Sequence, residues 1–230
     1  MAQVRVPGFL PSVAGFRFVN DFPKVPMVEL PIPGMPVDLG DASNGLCGGM
    51  AFAAADLFVA GLSPPPNEAP PASGPLFQFL VKRAIDSFDL PDGPLKYLLW
   101  MGLPDQDALF GIHGLARRTM TEEWPTTKAD LDAGKPSPLG LIRTRSFNPK
   151  DLGLNHQVLA YGYDDGPEAA GSVRVLVYDP NYPGDDSVAI TVAMGDPVER
   201  STFAYVAGDS PVRGFFRSGY RAADPTSIAG

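Results

Sequence analysis

The apolar residues change their period once along this chain, and that change limits the fold class. Between about residues 45 and 134 the chain reads as helical, most clearly over 75–88, where bulky apolar side chains recur at three- and four-residue steps, the spacing of a helix with one buried face. The spacing predicts helices over residues 45–61, 75–88, 94–101 and 105–120, and a short one from Thr127, as N-cap, to Gly134, as stop. Pro75 opens the second of these, and Gly111 and Gly114 weaken the fourth. From residue 138 onward, β-branched and aromatic runs are separated by Gly, Pro, Asp and Asn. Six strands are expected, over residues 138–144, 156–163, 173–178, 188–192, 202–206 and 214–220. Helices segregated before strands predict an α+β fold, with an N-terminal helical part and a C-terminal antiparallel β-sheet.

The chain is long enough for one domain with a sizeable core, expected over residues 41–221. Residues 1–40 carry Pro7, Pro11, Pro23, Pro26, Pro31, Pro33 and Pro36, which argue against a helix or a central strand. Phe9, Phe16, Phe18 and Phe22 still offer apolar anchors. The expected form is a proline-rich N-terminal arm lying across the domain, with a short edge strand near residues 16–19. Such an arm could occupy a cleft and be released from it. Residues 222–230 are expected to form a flexible tail.

Charge and composition exclude several function classes. The net charge is −8 and the pI about 4.7, so the surface repels phosphate backbones and no nucleic-acid partner is expected. Arg117-Arg118, and Arg143 with Arg145, are the short basic clusters, and they read as solvated faces. No apolar run approaches the ~18 residues of a membrane span. The N-terminus lacks the pattern of a classical signal peptide. A cytoplasmic protein, or one exported without such a signal, is expected, and its oligomeric state is not readable. Asp164, Asp165, Asp179, Asp185 and Asp186 lack the spacing of a calcium loop, and turns favour Asp in any case, so no metal site is expected.

The single cysteine excludes an internal disulfide and draws attention to its own context, Asn44-Gly45-Leu46-Cys47-Gly48-Gly49-Met50. Cys47 falls in the first turn of an expected helix. There, free N–H groups and the helix dipole favour thiolate over thiol, and the thiolate is the nucleophile. Gly48 and Gly49 would leave the sulfur open to a substrate carbonyl in a cleft. A catalytic cysteine needs a base, and the base needs an orienting group. His156 begins an expected strand and Asp179 ends the next, with the turn residues Asp164-Asp165-Gly166-Pro167 between them. A hairpin would bring both to one end of the sheet. Asn181 is an alternative orienting residue.

The order Cys47, His156, Asp179 resembles that of papain-like cysteine peptidases, especially the peptidase C39-like branch. The resemblance lies in the cysteine opening the central helix, the strand from Asn155 to Asp164 and the strand end Tyr178-Asp179-Pro180. Leu131-Asp132-Ala133-Gly134-Lys135-Pro136 is also similar to the stretch before the family's histidine strand. It implies a papain-like fold and a thiol-dependent hydrolase, acting on a peptide, amide or other acyl bond through an acyl-enzyme intermediate, with no cofactor. Transfer of the acyl group through the same thioester is the sister chemistry. The family usually places a Gln six positions before the cysteine as oxyanion donor. Here Asp41 stands there, and an ionised carboxylate cannot donate. Asn44, with the Cys47 N–H, is then the expected donor. The alternative is a catalytically inactive papain-like domain that serves as a binding or assembly module.

Overall fold

The computed structural model describes residues 2–24, 46–89, 92–166, 171–206 and 211–230. In chain order, β1 (Gln3–Arg5) and a short α1 (Pro11–Ala14) precede three longer helices, α2 (Cys47–Val59), α3 (Gly74–Ser87) and α4 (Asp92–Gly102). Then α5 (Leu115–Arg118) runs through a π-helical turn, Thr119–Glu123, into α6 (Trp124–Asp132). Six strands follow: β2 (Ser137–Ile142), β3 (His156–Asp165), β4 (Ser172–Tyr178), β5 (Ala189–Ala193), β6 (Thr202–Tyr205) and β7 (Gly214–Arg217). The sheet is antiparallel in the order β6-β5-β4-β3-β2-β7, and β1 pairs β3. The protein is therefore a mixed fold of helices and antiparallel sheet. Among the described residues, no helix is long and apolar enough to cross a membrane.

Two expected helices are drawn differently. Residues 105–120 do not form one helix, because Phe110 and Gly111 take positive φ (63° and 75°), and Ala108 pairs with Ile112 across the resulting loop. Thr127 is not an N-cap but lies buried inside α6. Pro125 has no N–H to give, and the turn before it adopts the wider π-type spacing, with the Trp124 N–H donating to the Thr119 carbonyl.

Burial of α2 organises the molecule. Met50, Phe52 and Leu57 and the four alanines 51 and 53–55 are all at most 1% exposed. A helix that is apolar on every side must be covered on every side. One cover is α3, approached so closely that a Cβ on Gly49 would lie 2.1 Å from the Leu80 carbonyl oxygen. Another is the sheet. A third is the N-terminal segment. Phe9, Phe16, Phe18 and Phe22 are buried; the Phe9 ring meets Phe58 and Tyr161, and Phe16, Phe18 and Phe22 run in contact to Phe77. Residues 16–19 form no strand; the pairing segment is β1, which lengthens the edge of β3 beyond β2. Residues 2–24 are therefore part of the core and not a removable arm. Each buried Phe contributes about 1.5–3 kcal/mol, against a typical domain stability of about 5–15 kcal/mol, so deleting the segment would unfold the domain.

The C-terminal stretch expected to be flexible is docked. Asp56 on α2 and Arg83 on α3 form a buried ion pair at 2.7 Å. The Asp56 carboxylate also accepts from the Tyr220 hydroxyl (2.8 Å) and the Ala223 N–H (3.0 Å). Arg83 donates to the Arg221 carbonyl (2.9 Å). Ile228 is buried, and the Gly230 N–H meets the Ser63 carbonyl. Asp56→Ala should cost about 3 kcal/mol, because it breaks a buried ion pair and removes the acceptor of Tyr220 and Ala223, while Arg83 keeps the Asp86 carboxylate (2.7 Å). It should also speed amide exchange at Ala223. The urea midpoint and hydrogen exchange read the two effects, and a cost below about 1 kcal/mol would show that the pair is not what holds the tail.

Candidate active site

Cys47 is the first residue of α2. Leu46 precedes it as N-cap without a side-chain cap of its own, and the first helical hydrogen bond runs from the Met50 N–H to the Leu46 carbonyl (2.9 Å). The N–H groups of Cys47, Gly48 and Gly49 therefore have no partner among the described residues. The Leu46 N–H is held instead by the side-chain oxygen of Asn20 (2.6 Å). Gly48 and Gly49 are not cleft walls as expected. Both are buried, and a Cβ on Gly48 would lie 2.2 Å from Ser87 Oγ and 2.7 Å from Gln157 Oε1. Their missing side chains let α2 press onto α3 and β3. Cys47 as a residue is half-buried at this helix end.

The sheet register brings His156 and Asp179 together. Leu159 of β3 faces Tyr178 of β4, so the first residue of β3 and the residue just past β4 meet at one end of the sheet. His156 Nε2 lies 2.7 Å from Asp179 Oδ1. The same carboxylate accepts the Asn181 N–H (2.8 Å) on Oδ1 and the Tyr205 hydroxyl on Oδ2. Asn181 is thus not the group that orients His156. Its backbone helps to hold Asp179, and its side-chain oxygen accepts from the Asn20 amide (3.2 Å). With Nε2 engaged, Nδ1 is the nitrogen left for the thiol.

The electrostatics follow from these contacts. Burial pushes the Asp179 carboxyl up, but the His156 charge and the donors from His156, Tyr205 and Asn181 outweigh it and hold the group below the usual carboxylate range. Burial works against a charged His156, yet Asp179 and Cys47 raise its pKa to about 9. Burial raises the Cys47 thiol. The charge and hydrogen bond of His156, together with the Gln157 backbone, bring it below its ordinary value. The balance favours a thiolate beside an imidazolium, with the Cys47 N–H unpaired among the described residues at the same helix end. Such a set can attack a carbonyl carbon and stabilise the oxygen that becomes charged.

Asn44, expected as an oxyanion donor, and Asp41 both lie outside the described residues. Three contributors had no signature in the sequence. Tyr205 ends an ordinary alternating strand, and Asn20 sits among prolines and aromatics. Arg143, expected on a solvated face, has its guanidinium over the Tyr205 ring at 5.6 Å and a buried Nε. Polar side chains that meet only through tertiary contact leave no local pattern to find.

Alkylation of Cys47 by iodoacetamide should stay fast well below the free-thiol pKa of about 8.5. In His156→Ala the opposing charge is gone while burial remains, so the rate should fall and its pH midpoint should move above that of a free thiol. Intact mass reads a single adduct. A wild-type midpoint at the free-thiol value, unmoved by His156→Ala, would contradict the ion pair. In comparisons with known proteins, no family model, no curated protein and no solved structure matches this chain.

Proposed function

We propose that the protein is a thiol-dependent acyl hydrolase, a cysteine peptidase or amidase of the papain-like kind. The observation that carries this is the buried His156–Asp179 pair at 2.7 Å, with Cys47 close enough for the imidazole to lower its pKa. Together with the order of the three residues in the chain, it supports a resemblance to the C39-like branch.

The chemistry would run as follows. The Cys47 thiolate attacks the substrate carbonyl carbon and forms a C–S bond, while the carbonyl oxygen takes the electron pair. The Cys47 N–H, with Asn44 as the second donor, would bind that oxyanion. The His156 imidazolium then gives its proton to the leaving nitrogen as the C–N bond breaks, leaving a thioester on Cys47. Water attacks the thioester, His156 takes a proton from it, and the carboxylic acid departs as the thiolate–imidazolium pair is restored. Asp179 keeps the ring in the orientation both proton transfers need. The inactive-domain alternative, motivated by Asp41, predicts a sealed cysteine. The partial exposure of Cys47 supports the hydrolase.

Incubation with a mixed peptide pool, read by mass spectrometry for new N-termini, tests the reading. New termini should appear with the wild type and be absent with Cys47→Ala. His156→Ala should slow their appearance by about 10²–10⁴-fold. If no cleavage depends on Cys47, and activated esters are not turned over either, the enzyme reading falls and the binding-module reading takes its place.

A further inference from the structure

Arginines that are at least partly withdrawn from water normally have an acceptor, because a desolvated guanidinium without one costs free energy. Among the described residues the rule has one departure. Arg83, Arg117 and Arg217 meet the carboxylates of Asp56, Asp107 and Asp130. Arg118 and Arg213 meet Glu122 and Asp105, and Arg174 donates to the Ser187 carbonyl. Arg143 is also partly buried, yet its side chain meets no acceptor among the described residues, and its Nε is shut off from water.

Its place in the fold makes the vacancy informative. Leu141 of β2 pairs with His156 of β3, so Arg143, the residue just past β2, lies at the His156 end of the sheet. The Arg143 N–H is fixed by the side chain of Asn155, the residue before His156 (3.1 Å). Its guanidinium stacks on Tyr205, whose hydroxyl holds the carboxylate of Asp179. The cation therefore stands beside the His156 end of the site rather than on the α2 end. In the proposed mechanism, the His156 side is where the leaving group collects its proton.

We infer that Arg143 binds a carboxylate on the leaving-group side of the substrate, so that the enzyme prefers bonds followed closely by a negative charge. A guanidinium is suited to this task, since its planar donors match a carboxylate two by two. The carboxylate has two sources in a peptide: the terminal carboxylate of a short leaving group, or an Asp or Glu side chain just beyond the cleaved bond. Stacking on Tyr205 would hold the donors in one plane while leaving their edge open to the ligand. This inference rests on the hydrolase reading, but part of its test does not need turnover.

That part compares two alkylating agents that differ in charge. The ratio of the iodoacetate rate to the iodoacetamide rate at Cys47 should fall about tenfold in Arg143→Gln, the size expected for losing one charge-assisted contact. In Arg143→Lys, most of the ratio should be retained. A packing role for Arg143 would leave the ratio unmoved in both variants, and that result overturns the inference. Slow wild-type labelling by iodoacetamide would instead overturn the thiolate–imidazolium reading beneath it. The second part uses peptides with a free or an amidated C-terminus one or two residues past the cleaved bond, with and without Asp or Glu there. Arg143→Gln should erase the preference for whichever carboxylate the wild type selects. A wild type indifferent to both would overturn the inference.

Discussion

The enclosure of α2 is the constraint on which the rest depends. Its sequence offers no polar face, so four partners must cover it: α3, the sheet, the aromatic N-terminal segment and the C-terminal stretch. Covering a helix this completely fixes where its ends emerge. The N-terminal end emerges beside the start of β3, with Gly48 and Gly49 permitting the approach. A helix N-terminus therefore meets the end of an interior strand that supplies an imidazole. The geometry of the site is a consequence of packing before it is a matter of chemistry.

Once those groups meet, charge is set from the inside outward. Asp179 has no exposure to water, and three donors stabilise its charge. That carboxylate makes the imidazolium favourable, and the imidazolium makes the thiolate favourable, each against the opposing effect of burial. Asn20 links both halves. It caps the Leu46 N–H, its backbone N–H bonds to the Pro180 carbonyl, and its amide reaches Asn181. A residue of the N-terminal segment thus ties the cysteine end to the aspartate end, which is a further reason why the segment behaves as part of the domain.

What the sequence disclosed follows the range of the interactions involved. Periodicity is local, so the helix over residues 75–88 and the strands from 156 and 173 stand close to where the spacing placed them. The hairpin is nearly local too, which is why His156 and Asp179 could be paired from turn residues between two strands. The loop over residues 105–114 was missed because two positive-φ residues outweighed a helical spacing. The tail was misjudged because its anchor, Asp56, lies far away in the chain, on a helix that reads as purely apolar. Tyr205, Asn20 and Arg143 were hidden for the same reason: each acts through a partner that only the folded sheet brings near.

Two buried carboxylates show how one physical device serves two ends. Asp56 and Asp179 are both withdrawn from water, and both are surrounded by donors that include a tyrosine hydroxyl and a backbone N–H. They differ in the cation. Asp56 faces Arg83, a permanent cation lying against the rings of Phe52 and Tyr220, so its charge balance cannot change and the arrangement can only hold elements together. Asp179 faces His156, a titratable cation, so the same enclosure holds a group able to release and take up a proton. Burial makes each pair specific, because an unmatched charge would be costly in either place. Whether such a pair can be more than a strut depends on the titratability of its cation, and by that measure the His156 end of the sheet is the one suited to the proposed chemistry.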